Sequence, residues 1–142
     1  MTRFLLDTST VSRMMWAERD RGVEERLREH GGECAIGSPV WHELRFGVLR
    51  LPRGKKRSGL ERWLDEVVVA TLPILPYDDR AAEWHAEERA RLERAGRTPA
   101  FVDGQIAAIA ATCGLPVVTT NLDDFKWFKG LTTLNWATSS PG

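Results

Sequence analysis

The sequence predicts an α/β fold with a central, mainly parallel sheet between two layers of helices. Short apolar segments typical of buried strands alternate along the chain with longer segments of helical periodicity. Helices of about ten residues or more are the usual connections between parallel strands, and they cover both faces of the sheet. The chain of 142 residues also has the length of one ordinary domain. We therefore expect one domain over residues 1–142.

The N-terminal segment is predicted to form a strand and two helices. Residues 3–6 are an apolar strand that ends at Asp7. The helix that follows carries apolar residues on one face, and we expect it to break at Gly22. A short amphipathic helix comes next and ends at Gly31 and Gly32, since glycine favours the backbone conformation that closes a helix.

A second strand, residues 34–36, leads into a helix that carries an acidic residue. Ser38 and Pro39 suit the N-cap and the first helical position. Glu43 lies five residues after Ser38, close to the positive end of the helix dipole. We expect this helix to turn its apolar face to the sheet and Glu43 to the rim.

A basic segment, residues 50–57, separates this helix from the next. It contains five basic side chains, and a proline and a glycine interrupt any helical pattern, so we expect an exposed loop. The basic residues are Arg50, Arg53, Lys55, Lys56 and Arg57. Residues 58–61 then match a capping box that opens the following helix.

The middle of the chain is predicted to contain a third strand and two helices. Residues 72–75 form the strand, and Asp78 or Asp79 caps a highly charged helix that ends at Gly96. Thr98 and Pro99 then repeat the arrangement of Ser38 and Pro39, and Asp103 follows five residues after Thr98. Both acidic residues should therefore lie at the same depth in their helices.

The C-terminal part is predicted to complete the sheet. Gly114 stops the helix of Asp103, and residues 115–120 form the next strand. A loop or short helix at residues 121–125 contains Asp123 and Asp124, and a last strand is expected near residues 131–135.

Four acidic residues thus lie where strands end or helices begin: Asp7, Glu43, Asp103 and Asp124. In parallel α/β sheets ligands bind beyond the carboxyl ends of the strands, so these side chains can converge there. Crowded carboxylates repel one another, and a cation relieves that repulsion. Ligation by oxygen alone favours Mg²⁺ or Mn²⁺ over Zn²⁺. Asp123 is an alternative to Asp124 as the fourth ligand.

Neighbouring polar residues are predicted to hold this site in place. Thr8 and Ser9 follow Asp7, and Thr120 and Asn121 follow the fourth predicted strand. Their side chains can hydrogen-bond the carboxylates, which is the support that orients metal ligands in proteins.

Composition restricts the location of the chain more than its partners. Twenty basic and twenty acidic residues cancel, so the overall charge neither requires nor excludes a nucleic acid. Two cysteines without metal-ligand spacing predict buried, reduced thiols. No apolar run is long enough to span a membrane, and the N-terminus is too short and too charged for a signal peptide. We expect a cytoplasmic protein with no membrane partner.

The acidic motifs together resemble those of the PIN-domain nucleases, and most closely the VapC toxins of bacterial VapBC toxin–antitoxin pairs. The resemblance spans essentially the whole chain. The segments that carry it are Asp-Thr-Ser after the first strand, Glu43, Asp-Gly-Gln-Ile-Ala-Ala-Ile-Ala from Asp103, and Thr-Thr-Asn-Leu-Asp-Asp-Phe from Thr119. The Asp103 segment is the most specific of them.

This resemblance implies a PIN-like three-layer α/β/α sandwich and a Mg²⁺- or Mn²⁺-dependent endoribonuclease that cleaves RNA with a metal-activated water. It also implies a homodimer inhibited by a small VapB-like antitoxin. Asp7, Glu43 and Asp103 match the acidic positions of the family. Some members carry the fourth acid where Asn121 stands, and others carry it where Asp124 stands. A basic residue is common in the family at the position of Thr120.

The sequence leaves two alternatives open. The five basic side chains of residues 50–57 are candidate contacts for RNA phosphates, although a solvated surface is the alternative. A catalytically silent module that binds RNA or an antitoxin is the alternative to a nuclease.

Overall fold

A five-stranded parallel sheet forms the centre of the protein in the computed structural model, which describes residues 1–15 and 19–138. The strands are β1 (Phe4–Leu6), β2 (Cys34–Gly37), β3 (Ile74–Leu75), β4 (Val117–Val118) and β5 (Thr133–Leu134). Their order across the sheet is β3, β2, β1, β4, β5. All four strand pairs are parallel, so the predicted sheet is confirmed.

The helices lie between the strands in sequence and cover both faces of the sheet. They are α1 (Thr8–Met15), α2 (Arg21–Glu29), α3 (Ser38–Leu49), α4 (Lys55–Trp63), α5 (Val69–Thr71), α6 (Asp79–Arg94) and α7 (Phe101–Cys113). A π-helical turn, Leu64–Val68, joins α4 to α5. Crossovers between parallel strands are right-handed in nearly all proteins. The chain moves outward from β1 through β2 to β3 and then returns to the other side of β1 to form β4 and β5. This reversal places helices on the two opposite faces and gives the predicted three layers.

The predicted N-cap roles of Ser38 and Thr98 are wrong. Gly37 is the N-cap of α3, and the Ser38 hydroxyl instead accepts a hydrogen bond from the backbone N–H of Tyr77 at 3.2 Å. Ala100, with φ −55° and ψ 140°, is the N-cap of α7. Helix α7 therefore begins at Phe101, two residues after Pro99, whereas α3 begins at Ser38.

The two helical acids therefore lie at different depths. Glu43 is the sixth residue of α3, whereas Asp103 is the third residue of α7. The equal spacing from a hydroxyl residue and a proline predicted the same depth, and that prediction is wrong. Only Asp103 lies in the first turn of its helix, where the backbone N–H groups are free of intrahelical partners.

The predicted break at Gly22 is also wrong. Asp20 caps α2 by accepting the N–H of Val23 at 3.2 Å, and Gly22 lies in the first turn of that helix. A Cβ on Gly22 would lie 2.5 Å from the carbonyl oxygen of Trp136. The glycine therefore allows the C-terminal segment to approach the helix and does not end one. The residues after α1, 16–18, lie outside the described part of the chain.

The basic segment is only partly a loop. Helix α4 begins at Lys55, and the backbone N–H of Ser58 donates to the carbonyl of Gly54 at 3.0 Å. Ser58 is thus inside the helix, and the predicted capping box at residues 58–61 is wrong. Residues 50–54 form the connection between α3 and α4.

Two other expectations concern the cysteines and the membrane. Cys34 is buried but Cys113 is exposed, so the prediction of two buried thiols holds for Cys34 alone. Both thiols are free. In the part of the chain that the structure describes, no helix combines the length and the apolar character needed to cross a bilayer.

A close contact between α6 and α7 sets the position of the Asp103 helix. His85 of α6 is buried, and its Nδ1 lies 2.9 Å from the Tyr77 hydroxyl. Its ring packs beside Phe101, with 4.8 Å between the ring centroids, and against the backbone of Gly104. Because the imidazole occupies the space where a Cβ of residue 104 would lie, α7 can approach α6 only with glycine at that position.

This contact can be tested with two glycine-to-alanine substitutions. Gly104→Ala should lower the melting temperature by about 4 to 10 °C, because overpacking costs about 1–3 kcal/mol. Gly59→Ala is the matched control: Gly59 is also helical, but a Cβ there meets nothing within 4 Å. It should gain about 0.5–1 kcal/mol from helix propensity. Equal melting temperatures for the two variants would contradict the close packing of α6 on α7.

Candidate functional site

Asp7 is held at the end of β1, beside β4. Its backbone N–H continues the sheet ladder to the carbonyl of Val118 at 2.9 Å, and its side chain is only 5% exposed. Its carboxylate accepts the backbone N–H of Thr8 at 2.8 Å, the Ser9 hydroxyl at 3.0 Å and the Thr119 hydroxyl at 2.8 Å. The two hydroxyls reach the same oxygen, Oδ2. The carboxylate is therefore fixed by the first two residues of α1 and by the residue that follows β4.

The two hydroxyls that donate to Asp7 are themselves oriented by the backbone. The Ser9 hydroxyl oxygen accepts the N–H of Thr120 at 3.0 Å, and the Thr119 hydroxyl oxygen accepts the N–H of Asn121 at 3.0 Å. Of the residues that the sequence proposed as supports, Ser9 contacts Asp7 directly. Thr120 and Asn121 act here through their backbone N–H groups.

Thr119 is a site residue that the sequence reasoning missed. It is buried, and it follows β4, whose Val118 pairs with Leu6 of β1. That register places Thr119 next to Asp7. The sequence indicates a fourth strand that ends near Thr119, which could have suggested this role. One sequence does not reveal which strands pair or in which register, so it could not place Thr119 beside Asp7.

Thr8 joins two of the candidate acids. Its hydroxyl donates to Oε1 of Glu43 at 2.6 Å, while its backbone N–H donates to Oδ1 of Asp7. One residue thus fixes carboxylates that are far apart in sequence. Through this link the sixth residue of α3 reaches the carboxyl edge of β1.

Three of the candidate acids act electrostatically on the fourth, Asp103. Burial is the largest cause that raises the pKa of Asp103, to about 7, and the charges of Asp7, Asp124 and Glu43 raise it further, in that order. Burial also raises the pKa of Asp7, while hydrogen bonds from Thr119, Ser9 and Thr8 act in the opposite direction. Negative charge is therefore concentrated at this edge of the sheet.

The structure distinguishes Asp124 from Asp123. Asp124 is among the charges that raise the pKa of Asp103, and Asp123 is not. The side chain of Asp123 is 91% exposed and pairs with Lys126 at 3.5 Å. Asp124 therefore faces the other acids more closely than Asp123 does.

An open cavity of about 440 Å³ lies against this acidic group. Asp103, Asp123 and Asp124 line it, together with Arg97 and Trp127. The cavity gives a ligand access from solvent to Asp103 and Asp124, whereas Asp7 and Glu43 do not line it.

The donor set suits a hard divalent cation, because it offers carboxylate and hydroxyl oxygens and no thiolate. Within residues 1–15 and 19–138, no three His, Cys, Asp or Glu side chains stand close enough together to hold an ion as they are placed. Repulsion separates like charges, and Asp124 is exposed and can rotate. The donors therefore suit such a cation by their chemical type and their excess negative charge, and the described residues show no preformed set of ligands.

The basic segment lies apart from the acidic cavity. None of Arg50, Arg53, Lys55, Lys56 and Arg57 lines that cavity. Arg57 is half-buried and pairs with Glu61 at 3.1 Å, and the guanidinium of Arg50 lies over the ring of Phe46. Arg53 and Lys55 are exposed.

Comparison with protein families gives one match that covers most of the chain. Residues 4–130 match the model of the PIN domain.

Comparison with curated proteins gives relatives of similar length. The chain is 32% identical over 134 residues to a VapC ribonuclease of Sinorhizobium fredii, covering 92% of this chain and 95% of that protein. It is 30% identical over 137 residues to the tRNA(fMet)-specific endonuclease VapC of Shigella flexneri, covering 96% of this chain and 100% of that protein.

Solved structures share the fold. The FitAcB crystal structure from Neisseria gonorrhoeae superposes with a TM-score of 0.86 at 28% identity, covering 93% of this chain and 96% of that chain. The DNA-bound VapBC structure from Salmonella typhimurium has a TM-score of 0.86 at 28% identity, covering 96% of this chain and 100% of that chain.

The raised pKa of Asp103 predicts how the metal-free protein depends on pH. Between the ordinary value of 3.8 and the folded value of about 7, the folded state binds more protons than the unfolded state. The contribution of this group to stability therefore falls as pH rises through that window. With EDTA present, Asp103→Asn should melt about 2 to 5 °C above wild type near pH 8. This shift corresponds to a gain of roughly 1 kcal/mol in the free energy of unfolding, reduced because solvent screens the partly exposed carboxylate. Near pH 4 the two proteins should melt alike.

Asp123→Asn is the matched control for this experiment, because its exposed carboxylate pairs with Lys126 and adds nothing to the Asp103 shift. It should leave the melting temperature nearly unchanged at both pH values. A pH-independent difference between Asp103→Asn and wild type would show that the carboxylates are not crowded in solution.

Proposed function

Because this chain belongs to the PIN domain family, we propose that it is a metal-dependent endoribonuclease and the toxin of a toxin–antitoxin pair. The observation that carries the proposal is the placement of Asp7, Glu43, Asp103 and Asp124 at the carboxyl edge of the sheet, where burial first, and then the charges of the other three acids, raise the pKa of Asp103. Relatives of nearly full coverage carry the names VapC ribonuclease and VapC endonuclease. The family and the site thus support the same chemistry.

Asp7, Glu43, Asp103 and Asp124 are the residues proposed to hold Mg²⁺ or Mn²⁺. PIN-domain nucleases in general depend on divalent metal, and the all-oxygen donor set suits these two ions. When bound, such an ion lowers the pKa of a coordinated water and offsets charge on the scissile phosphate. Asp123 is left out of the set because its partner is Lys126.

The protein holds three of these four carboxylates through contacts of their own side chains or helices. Asp7 is oriented by three donors, and Thr8 connects it to Glu43. Asp103 is placed by the packing of α7 on α6, and Asp124 comes from the short 3-10 helix Leu122–Asp124. Water attack on the phosphorus with cleavage of the P–O3′ bond leaves a 5′-phosphate and a 3′-hydroxyl. The 2′-hydroxyl takes no part, so preference for RNA rests on binding.

The basic segment is proposed to contact RNA at a distance from the cleavage site. Arg50, Arg53, Lys55 and Lys56 are exposed at the end of α3 and the start of α4. Cationic side chains of this kind neutralise phosphates without reading sequence. Arg57 contributes less to this surface, because Glu61 offsets its charge.

An antitoxin and a second copy of the chain are the proposed protein partners. Structural neighbours of this chain include VapBC complexes with DNA bound. Helix α3 exposes Phe46 and Leu49, and the region after α4 exposes Val67 and Val69. Exposed apolar side chains mark a protein interface where they form a contiguous patch, and we propose that these four belong to one. We propose a homodimer with a cognate VapB-like antitoxin, in the cytoplasm, with residues 1–142 as one domain.

Cleavage assays with total bacterial RNA test the activity. Wild type should cleave with Mn²⁺ or Mg²⁺ and should be inactive in EDTA, whereas Asp7→Asn and Asp124→Asn should each lose activity about 100-fold or more. Asp123→Asn should keep it. RNA binding in EDTA without any cleavage in Mn²⁺ would instead favour a silent binding module. The relative named for tRNA(fMet) makes initiator transfer RNA the first substrate to follow.

Thr119 offers a conservative test of the support around Asp7. Thr119→Val removes the hydroxyl that donates to Oδ2, and activity should fall about 10- to 100-fold, as it does for the supports of metal ligands. Thr119→Ser keeps the hydroxyl and should restore most of the activity. The measurement is the initial rate of RNA cleavage as a function of Mn²⁺ concentration. Equal Mn²⁺ dependence in Thr119→Val and wild type would contradict this role.

A further inference from the structure

A stacked pair of side chains stands at the edge of the acidic cavity. The guanidinium carbon of Arg97 lies over the ring of Trp127, 3.3 Å from its centroid. Both side chains are exposed, Trp127 by 41%. Both line the cavity that contains Asp103 and Asp124. The pair is therefore open to solvent and adjacent to the proposed cleavage site.

The backbone on both sides of this pair is fixed. Arg97 follows the Schellman end of α6, where Gly96 has φ +77° and the N–H of Arg97 donates to the carbonyl of Leu92 at 2.8 Å. Trp127 is held by Arg91, which donates to the Trp127 carbonyl at 3.0 Å. Two segments 30 residues apart thus hold the pair in one orientation.

A buried carboxylate supports the Trp127 side of this arrangement. Glu88 is 8% exposed and accepts two hydrogen bonds from Arg91, at 2.7 and 2.9 Å. It also accepts the backbone N–H of Lys129 at 2.7 Å. Glu88 and Arg91 therefore fix the turn that carries Trp127, a rigidity that an ordinary surface tryptophan lacks.

Arg97 is the one positively charged side chain among the described residues that line the acidic cavity. No carboxylate in the described ranges forms an ion pair with it. Lys126 lies near the same ring, at 5.2 Å, but it pairs with Asp123. Stacking leaves the in-plane N–H donors of a guanidinium available, and these match two oxygens of a phosphate.

We propose that Arg97, positioned by Trp127, binds a backbone phosphate of the RNA next to the cleaved bond. The inference rests on the proposed function and adds a contact to it. An acidic cavity repels a polyanion, so a substrate strand needs positive charge there besides any metal. Arg97 supplies that charge, and its stacking on Trp127 reduces the entropy lost when the guanidinium binds. The basic segment at residues 50–57 lies outside this cavity and cannot take this role.

The test uses steady-state cleavage of a fluorescein-labelled oligoribonucleotide that copies the cleavage site mapped in total RNA, with Mn²⁺ present. Arg97→Gln should raise KM about 10-fold with kcat within about twofold, since each lost phosphate contact weakens binding and not the chemical step. The slope of log(kcat/KM) against log[NaCl] should fall in magnitude by about 0.7, the value for one contact to a single strand. Arg97→Lys should fall between Arg97→Gln and wild type, because lysine keeps the charge but not the planar stack.

Two further variants define the control and the role of the ring. Arg94→Gln is the matched control, since Arg94 is exposed on the last turn of α6 and does not line the acidic cavity. It should leave KM and the salt slope unchanged. Trp127→Leu should raise KM less than Arg97→Gln does and should keep the salt slope, because the charge remains. Melting temperatures near that of wild type establish that each variant is folded.

The outcomes separate this inference from the proposed function. If wild type cleaves and Arg97→Gln matches Arg94→Gln in KM and salt slope, the phosphate contact is refuted and the nuclease assignment stands. A fall in kcat without a rise in KM for Arg97→Gln would also refute the phosphate contact, because it would place Arg97 in the chemical step. If wild type neither cleaves nor binds RNA, the proposed function fails and this inference fails with it.

Discussion

The crowding of negative charge at the carboxyl edge of β1 is the constraint to which the rest of the structure responds. Asp7 is buried, and its hydrogen-bond partners are a backbone N–H and two hydroxyls, all of them neutral. These donors orient the carboxylate and favour its charged form, but they add no positive charge. The charges that act on Asp103 are all negative. The folded chain is therefore left with an excess of negative charge at this edge, which a divalent cation can offset.

The fold carries this charge on elements whose packing leaves little freedom. The hydrogen bond from the Thr119 hydroxyl to Asp7 joins the end of β4 to the end of β1. The hydrogen bond from the Thr8 hydroxyl to Glu43 joins the start of α1 to α3. Asp103 depends on a different contact, the close approach of α7 to His85 on α6. Thr8 holds both Asp7 and Glu43, and the packing of α7 on α6 places Asp103, so the repulsion among these three acids is opposed by the cooperative stability of the fold. Asp124 is exposed. A site that costs stability is typical of a functional centre.

The architecture and the placement of the acids near strand ends and helix starts could be predicted from the sequence, because both follow from local patterns. Alternating apolar and helical segments predicted the parallel sheet, and the acids stood at strand ends and helix starts. The equal depths inferred from Ser38 and Thr98 were wrong, since the first turn of α7 begins only after an extended Ala100. Thr119 was missed because its role depends on strand register. Arg97 and Trp127 were missed because 30 residues separate them and nothing in their spacing indicates contact.

An RNA-cleaving site of this kind has to meet two opposite electrostatic demands. The carboxylates that collect a cation also repel the phosphates that must approach it, and the overall charge of the chain, +0, gives no compensating attraction. Local positive charge has to be placed close to the acids without pairing with them, because an ion pair would neutralise both groups. Stacking on an aromatic face achieves this, since it holds a guanidinium by its plane and leaves its edge unpaired. In this protein Trp127 holds Arg97 in that way beside Asp103 and Asp124, which allows one cavity to accommodate both the acids and a polyanion.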